Sequence, residues 1–293
     1  MPELPEVQTT VSGLQSVLPG KRVTDVWTDW EKIFREETLP SFKKNVVGKK
    51  VLSVTRRGKH ILIHLDKGVT IIIHMKMTGH LLYGKYKQVK NSWIPADKGP
   101  LNDSFNRFIH VVFSLSGGKH LVFSDMRKFG KIVTAETDKL PHSPYLAHLG
   151  PEPLLKKFDY KEFVARLLLR PRGKIKTVLM DQAVIAGIGN IYSDEMLWRA
   201  GIHPETKTYD ISYVKLKLLY GAMKSLLKKG IVLGGDSMSD YRNIFGERGH
   251  FQEKHNAYQK KGERCSKRGC GGIIVRKMVG GRSAHFCSTH QKI

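Results

Sequence analysis

The sequence predicts an α+β protein: a β-sandwich, then a helical segment, then a short metal-binding hairpin at the C-terminal end. Three observations predict it. Short runs of alternating apolar and polar residues, several separated by Gly-containing turns, recur between residues 22 and 123. Helical periodicity dominates residues 158–229. All three cysteines, Cys265, Cys270 and Cys287, fall in the last tenth of the chain. An odd, clustered set is a poor disulfide framework and a good start for a metal site.

Taken in order, Pro5 to Leu18 reads as a helix, with Val7, Val11, Leu14, Val17 and Leu18 near helical spacing and Pro19-Gly20 as its stop. Strands are expected at Arg22–Trp27, Val51–Arg56, His60–Leu65, Val69–His74, Phe108–Phe113 and His120–Phe123. Pro141, Pro144, Pro151 and Pro153 mark a linker. Two helical runs follow, Lys174–Ile185 and Ile191–Ala200, joined by Ala186-Gly187-Ile188-Gly189-Asn190; Tyr213–Lys229 is a third, Lys-rich and amphipathic. Gly234–His250 is polar, Gly-rich and reads as a mobile loop. The domain limits that result are 1–135, a linker over 136–157, then 158–250 and 251–293.

The 293 residues suffice for two modest domains, and Lys and Arg outnumber Asp and Glu by 50 to 26, a formal net charge of +24. A chain this basic seeks a polyanion. No run of eighteen apolar residues exists, so no membrane partner is expected. The Met1-Pro2-Glu3-Leu4-Pro5-Glu6 start is neither a signal nor a transit peptide, which leads to a cytoplasmic expectation.

Cys265-x4-Cys270-x16-Cys287-x2-His290 has the spacing of two short knuckles joined by a hairpin, with strands at Ile273–Met278 and Ser283–Phe286. Thiolates and imidazole suit tetrahedral Zn²⁺, and four closed ligands make one structural zinc. Residues 251–293 hold ten Lys and Arg against two Asp and Glu, which fits a hairpin lying on phosphates.

Eight stretches occur in one order: Pro2-Glu3-Leu4-Pro5-Glu6-Val7, Arg56-Arg57-Gly58-Lys59, His74–Gly79, Asp125–Gly130, His148–Leu154, Leu179–Gln182, Gly187–Tyr192 and Gly280–Ser283. The ordered set resembles the formamidopyrimidine-DNA glycosylase family. The resemblance implies an N-terminal β-sandwich with flanking helices, then a helix–two-turn–helix domain with a zinc β-hairpin. It also implies a monomer that acts on double-stranded DNA containing oxidised purines or abasic sites, removes 8-oxoguanine and formamidopyrimidines, and cuts the strand.

The expected chemistry starts at Pro2. An α-amino group has a pKa of about 7.7–8.0, so once Met1 is removed a useful fraction of the proline amine is uncharged at neutral pH. A secondary amine that attacks sugar C1′ leaves an iminium ion, a good electron sink. Glu3, beside that amine, is expected as the acid, with Glu6 in support. The resemblance gives Lys59 a role in holding phosphate and passing a proton, and Arg282 a grip on the lesion phosphates during δ-elimination. It makes Met77, Arg127 and Phe129 the residues that fill the gap left by a flipped base. His74, Lys176 and Asn190 are expected on the DNA backbone, Asn190 at a helix start. Glu195 matches a buried carboxylate of open role, and Ser237–His250 aligns with the loop that closes over the flipped base.

Three departures stand out. His290 replaces the usual fourth cysteine, Phe108 stands where a DNA-contacting histidine is common, and Met126 replaces a proline before Arg127. Two rivals stay open at this point: an endonuclease VIII-type enzyme for oxidised pyrimidines, against which the Pro2–Glu6 start, Arg127 and Phe129 argue, and a non-catalytic DNA-binding relative.

Overall fold

The computed structural model describes residues 1–293 and divides into two compact units. The first comprises Met1–Ala147 with Leu233–His250; the second comprises His148–Val232 with Phe251–Ile293. In chain order the first unit holds α1 (Leu4–Val17), β1 (Val23–Thr28), α2 (Leu39–Val46), β2 (Val51–Arg57), β3 (His60–Leu65), β4 (Val69–His74), β5 (His80–Gly84), β6 (Tyr86–Val89), β7 (Ser92–Pro95), β8 (Ile109–Leu115), β9 (Lys119–Ser124) and β10 (Lys131–Glu136). The second holds α3 (Tyr160–Leu167), α4 (Ile175–Met180), α5 (Asn190–Ala200), α6 (Tyr213–Val232), β11 (Ile274–Val279) and β12 (Arg282–Cys287).

The sandwich is two antiparallel four-stranded sheets, ordered β1-β8-β9-β5 and β10-β4-β3-β2. Inward residues of both sheets form one core, including Val26, Val54, Ile61, Ile63, Ile71, Ile73, Leu81, Val111, Phe113 and Phe123. One face of α1 (Val7, Val11, Leu14) and Phe42 of α2 join it. Such alternation is what lets each strand bury one face. α1 lies on β2: Gln15 donates to the Val54 carbonyl (2.8 Å), and Arg56 donates to Gln8 (2.9 Å). Because contacts nearer the start of α1 meet residues nearer the end of β2, the helix start lies toward the β2–β3 turn.

Residues 233–250 carry no regular element and belong to the first unit, not to the helical domain as expected from the sequence. They pack with the sandwich because they are pinned to it. Tyr241 Oη donates to the Glu6 carbonyl (2.9 Å), the Tyr83 N–H donates to the Ile244 carbonyl (2.7 Å), and Ile244 enters the sandwich core.

In the second unit α5 packs on α6, α4 and the β12 strand. The helix expected over Lys174–Ile185 stops at Met180, since Asp181 turns the chain by accepting the Ala183 N–H (2.9 Å). No helix is long and apolar enough to cross a membrane.

Candidate active site and nucleic-acid interface

In the first unit, Glu3 is the N-cap of α1, and Pro5 sits where a missing N–H costs nothing. The Glu6 carboxylate reaches back to accept the Glu3 N–H (2.7 Å) and also accepts the Asp236 N–H (2.8 Å). Pro2, Glu3 and Glu6 are all buried. Burial first, and then the neighbouring Glu3 carboxylate, push Glu6 up to about 8. The helix start therefore holds one carboxyl poised to keep its proton near neutral pH beside a second. The Pro2 nitrogen is part of the Met1 peptide bond, so its use as an amine requires that bond to be cut.

Lys59 follows Gly58 on the β2–β3 turn, toward which α1 begins, and is only 5% exposed. His74 pairs across from His60, their rings edge-on at 4.6 Å. The His74 Nδ1 accepts the Lys76 N–H (2.9 Å), which leaves the ring proton on Nε2. Burial, then His60 and the lysines around it, hold His74 well below the usual imidazole range. It is a neutral donor, not a cation.

Met77 and Phe129 lie on two turns that share one support. Asp125 Oδ2 accepts the N–H groups of Phe129 and Gly130, both at 2.8 Å, and Oδ1 accepts the Arg127 N–H (3.2 Å). Thr78, next to Met77, donates its hydroxyl to Asp125 and accepts the Arg127 N–H (3.1 Å). A Cβ at Gly79 or Gly130 would collide with the Phe123 ring, so both turns sit tight on it. What results is a rigid base with an exposed tip: Phe129 is 44% exposed, and the Arg127 guanidinium lies 4.7 Å from its ring centroid. Met77 is half-buried and Met126 exposed. Phe108 faces the Arg107 guanidinium at 5.0 Å, while its carbonyl accepts the Asp125 N–H (2.8 Å). Asp125 has no expected role in the sequence analysis; its readable signal is an Asp at the head of a turn with N–H groups to satisfy.

In the second unit, Asn190 is the first residue of α5, with Gly189 as the N-cap. Its Nδ2 donates to Ser283 (3.5 Å), which ties it to the hairpin beside Arg282, while its Oδ1 is buried without a protein partner. Arg282 is exposed next to the Gly280-Gly281 turn of the β11–β12 hairpin. Lys176 departs from expectation. Its side chain is 0% exposed, and its ammonium donates to Asp194 and to Ser193 (3.3 Å). Asp194 in turn accepts both the backbone N–H (2.9 Å) and the ring Nδ1–H (3.1 Å) of His285. Lys176 thus joins α4, α5 and β12 from inside, and a direct phosphate contact is not what its burial favours. Glu195 acquires a role that was left open. Its carboxylate accepts the N–H groups of Asn256, Ala257 and Tyr258 at 2.8–3.0 Å and fixes the approach to the hairpin.

The ligand atoms of Cys265, Cys270, Cys287 and His290 lie within 4.8 Å of one another, and the cysteines form no disulfide. His290 Nδ1 is 3.5 Å from Cys265 Sγ and 3.6 Å from Cys270 Sγ; Cys270 and Cys287 Sγ are 3.6 Å apart. Tetrahedral zinc with standard bond lengths would set S···S at about 3.7 Å and S···N at about 3.5 Å. The donor set therefore fits a metal ion. His290 Nε2 bonds the Trp198 carbonyl (3.1 Å), which aims Nδ1 at the thiols, and Trp198 Nε1 donates to Cys265 Sγ (3.3 Å).

A sandwich headed by a buried Glu3–Glu6 pair, and a helical unit that ends in a Cys₃His hairpin, are the two halves of one class of DNA-repair glycosylase. Within that class, the formamidopyrimidine-DNA glycosylase N-terminal domain matches residues 1–132, and the formamidopyrimidine-DNA glycosylase H2TH domain matches residues 149–242. The chain belongs to the formamidopyrimidine-DNA glycosylase family. Relatives of that name are 40% identical in Pelotomaculum thermopropionicum, over the whole of both chains, and 37% identical in Bacillus subtilis, over 99% of each. Among solved structures, the Lactococcus lactis Fpg bound to DNA containing an abasic site superposes with a TM-score of 0.85 at 31% identity, covering 99% of this chain and 100% of that one. The wild-type Lactococcus lactis Fpg (MutM) with DNA containing N7-benzyl-Fapy-dG gives 0.85 at 32% identity over all of both chains.

Proposed function

We propose that this protein is a bifunctional DNA glycosylase and abasic-site lyase of base excision repair, acting on oxidised purines in double-stranded DNA. The observation that carries the reading is the buried start of α1, where Glu3 and a proton-retaining Glu6 adjoin Pro2.

With Met1 removed, the Pro2 amine attacks C1′ of the damaged nucleotide. The bond from C1′ to the base breaks, and the base leaves with the proton that the amine gives up; Glu3 then protonates O4′ as the C1′–O4′ bond opens, which leaves an iminium at C1′ of the opened sugar. The iminium acidifies the C2′ proton; its loss expels the 3′ phosphate by β-elimination, and a second elimination frees the 5′ phosphate. Lys59 and Arg282 stabilise the departing phosphates. Phe129 wedges between base pairs, Arg127 hydrogen-bonds the orphaned base and Met77 fills the void. His74 and Asn190 donate to backbone phosphates as neutral groups. Lys176 acts one step back, through Asp194 and His285.

Zinc is the metal that the Cys₃His set suits best. When bound it supplies a closed structural cross-link and no open coordination position. Residues 1–135 with the 233–250 loop form the catalytic domain, 136–157 the linker, 158–232 the helical DNA-binding domain and 251–293 the zinc hairpin, in a monomer that works in the cytoplasm.

Borohydride trapping tests the nucleophile. A covalent protein–DNA adduct is expected with an 8-oxoguanine:cytosine duplex, and its loss in Pro2→Gly. An undiminished adduct in that variant would refute Pro2. Faster single-turnover cleavage of thymine glycol than of 8-oxoguanine would move the substrate class to oxidised pyrimidines.

A further inference from the structure

Arg242 is a cation where a cation is costly: it is 3% exposed, in the loop that follows α6. Burial of a guanidinium is tolerated only when its donors are used. Here they are. Nε and Nη2 form a fork on the Asp103 carboxylate at 3.0 and 3.3 Å, and Nη1 donates to the carbonyls of Ser239 (3.1 Å) and Tyr241 (2.9 Å). The guanidinium also lies 4.7 Å from the Phe105 ring centroid. Asp103 is held in turn, because its Oδ1 accepts the Phe105 N–H (2.9 Å). One ion pair therefore fixes two carbonyls of the 236–250 loop to the strap at residues 99–108.

That strap is itself anchored. Asn106 donates to the Pro100 carbonyl (3.0 Å), its N–H donates to the Asp103 carbonyl (2.8 Å), and His80 Nε2 bonds its Oδ1 (2.9 Å). His80 is two residues from Thr78, which holds Asp125 and the Arg127 turn, and the far end of the strap receives the Asp125 N–H at Phe108. Gly246 adds a steric lock, since a Cβ there would lie 2.6 Å from the Pro100 carbonyl.

We infer that Asp103 and Arg242 are positioning residues that latch the 236–250 loop onto the strap seating the Arg127–Phe129 turn, so that base capture depends on this ion pair. The inference rests on the proposed glycosylase reading, in which that loop closes over the flipped base. The proposed reading assigns neither residue to the sugar or to the phosphates that take part in strand cleavage, so the two half-reactions should respond differently. A duplex with an 8-oxoguanine needs a base held in place; a duplex with a preformed abasic site has no base to hold.

Single-turnover rates of Asp103→Asn, Arg242→Gln and the double variant, on both duplexes, test this. At least a tenfold loss is expected on 8-oxoguanine, less than twofold on the abasic duplex, and a double variant no slower than the slower single. Asp103→Glu should recover most of the rate. Equal losses on both duplexes, additive losses, or no loss would overturn the latch. Amide hydrogen exchange of the unbound protein reads the tether without any activity. The Tyr83 and Asp236 amides should exchange at least tenfold faster in Asp103→Asn, and unchanged exchange would overturn the inference. Wild-type protein that cleaves neither duplex would instead refute the glycosylase reading, while the exchange result still stands or falls alone.

Discussion

Asp125 and Phe129 are joined by a 2.8 Å hydrogen bond from the Phe129 N–H to the Asp125 carboxylate, and the same oxygen takes the Gly130 N–H. An exposed aromatic ring is thereby carried on a backbone tied at two successive N–H groups. Asp125→Asn keeps the shape but can aim an amide donor at two N–H groups. Breaking a buried charge-assisted contact costs about 1.5–3 kcal/mol. The expected outcome is a lower Tm and at least a tenfold slower excision of 8-oxoguanine, read by thermal melting and single-turnover cleavage. A variant with unchanged Tm and rate would show that the turn does not need its carboxylate.

Glu6 sets a pH dependence whose sign is fixed by its raised value. The unfolded chain ionises this residue near 4.5 and the folded chain near 8, so the unfolded state holds fewer protons between those limits. The stabilisation is complete below about 4.5 and is lost as pH rises to about 8. Thermal melting of wild type and Glu6→Gln across pH 5–8 measures it. The Tm of the wild type should fall relative to the variant over that window, and parallel curves would contradict it.

Gly280 and Gly281 share a turn yet predict opposite outcomes. A Cβ at Gly280 would sit 2.2 Å from Thr177 Cγ2, whereas one at Gly281 meets nothing within 4 Å. Both have positive φ, +57° and +74°, as a two-residue hairpin turn requires. Gly280→Ala adds a steric clash to a backbone cost of about 1–2 kcal/mol. It should lower Tm and weaken binding to an abasic-site duplex by several-fold, while Gly281→Asn, a residue that tolerates this conformation, should leave both near wild type. Equal behaviour of the two variants would rule out hairpin packing on α4 as the cause.

His290 and Trp198 separate ligand from support at the metal site. His290→Cys preserves four donors and should retain one equivalent of zinc, whereas His290→Ala should lose it on dialysis against a chelator. Trp198→Phe removes the N–H donated to Cys265 and should weaken zinc by about tenfold or more. Metal content by elemental analysis and competition with a chromophoric chelator give the numbers. Full zinc in His290→Ala would exclude His290 as a ligand.

Much of the sandwich was legible because its strands alternate or run apolar at the expected period. His60–Leu65 and Val69–His74 occur at the residues expected. The β5 strand, the β6–β7 hairpin and β10 were not read. β5 and β10 begin straight after the Met77 and Phe129 turns, and β6–β7 pairs Tyr86 with Pro95 outside the main core, where no long apolar run marks it. The Cys₃His cluster is readable from spacing alone. Lys176 was not, since its burial depends on Asp194, eighteen residues on, and on His285, which reaches the same carboxylate from the hairpin. Arg242 and Asp103 are 139 positions apart, and no local pattern announces a pair formed across such a distance.

The neutral state of His74 has a thermodynamic consequence. A cation that meets a phosphate releases a bound counterion, and each such contact steepens the fall of affinity with salt by a slope of about 0.9 for duplex DNA. In the proposed complex, His74 and Asn190 would donate hydrogen bonds without charge and release none. Their contributions would then persist as ionic strength rises while those proposed for Arg282 and Lys59 fade, and in concentrated salt the proposed grip on the backbone would pass from ions to dipoles.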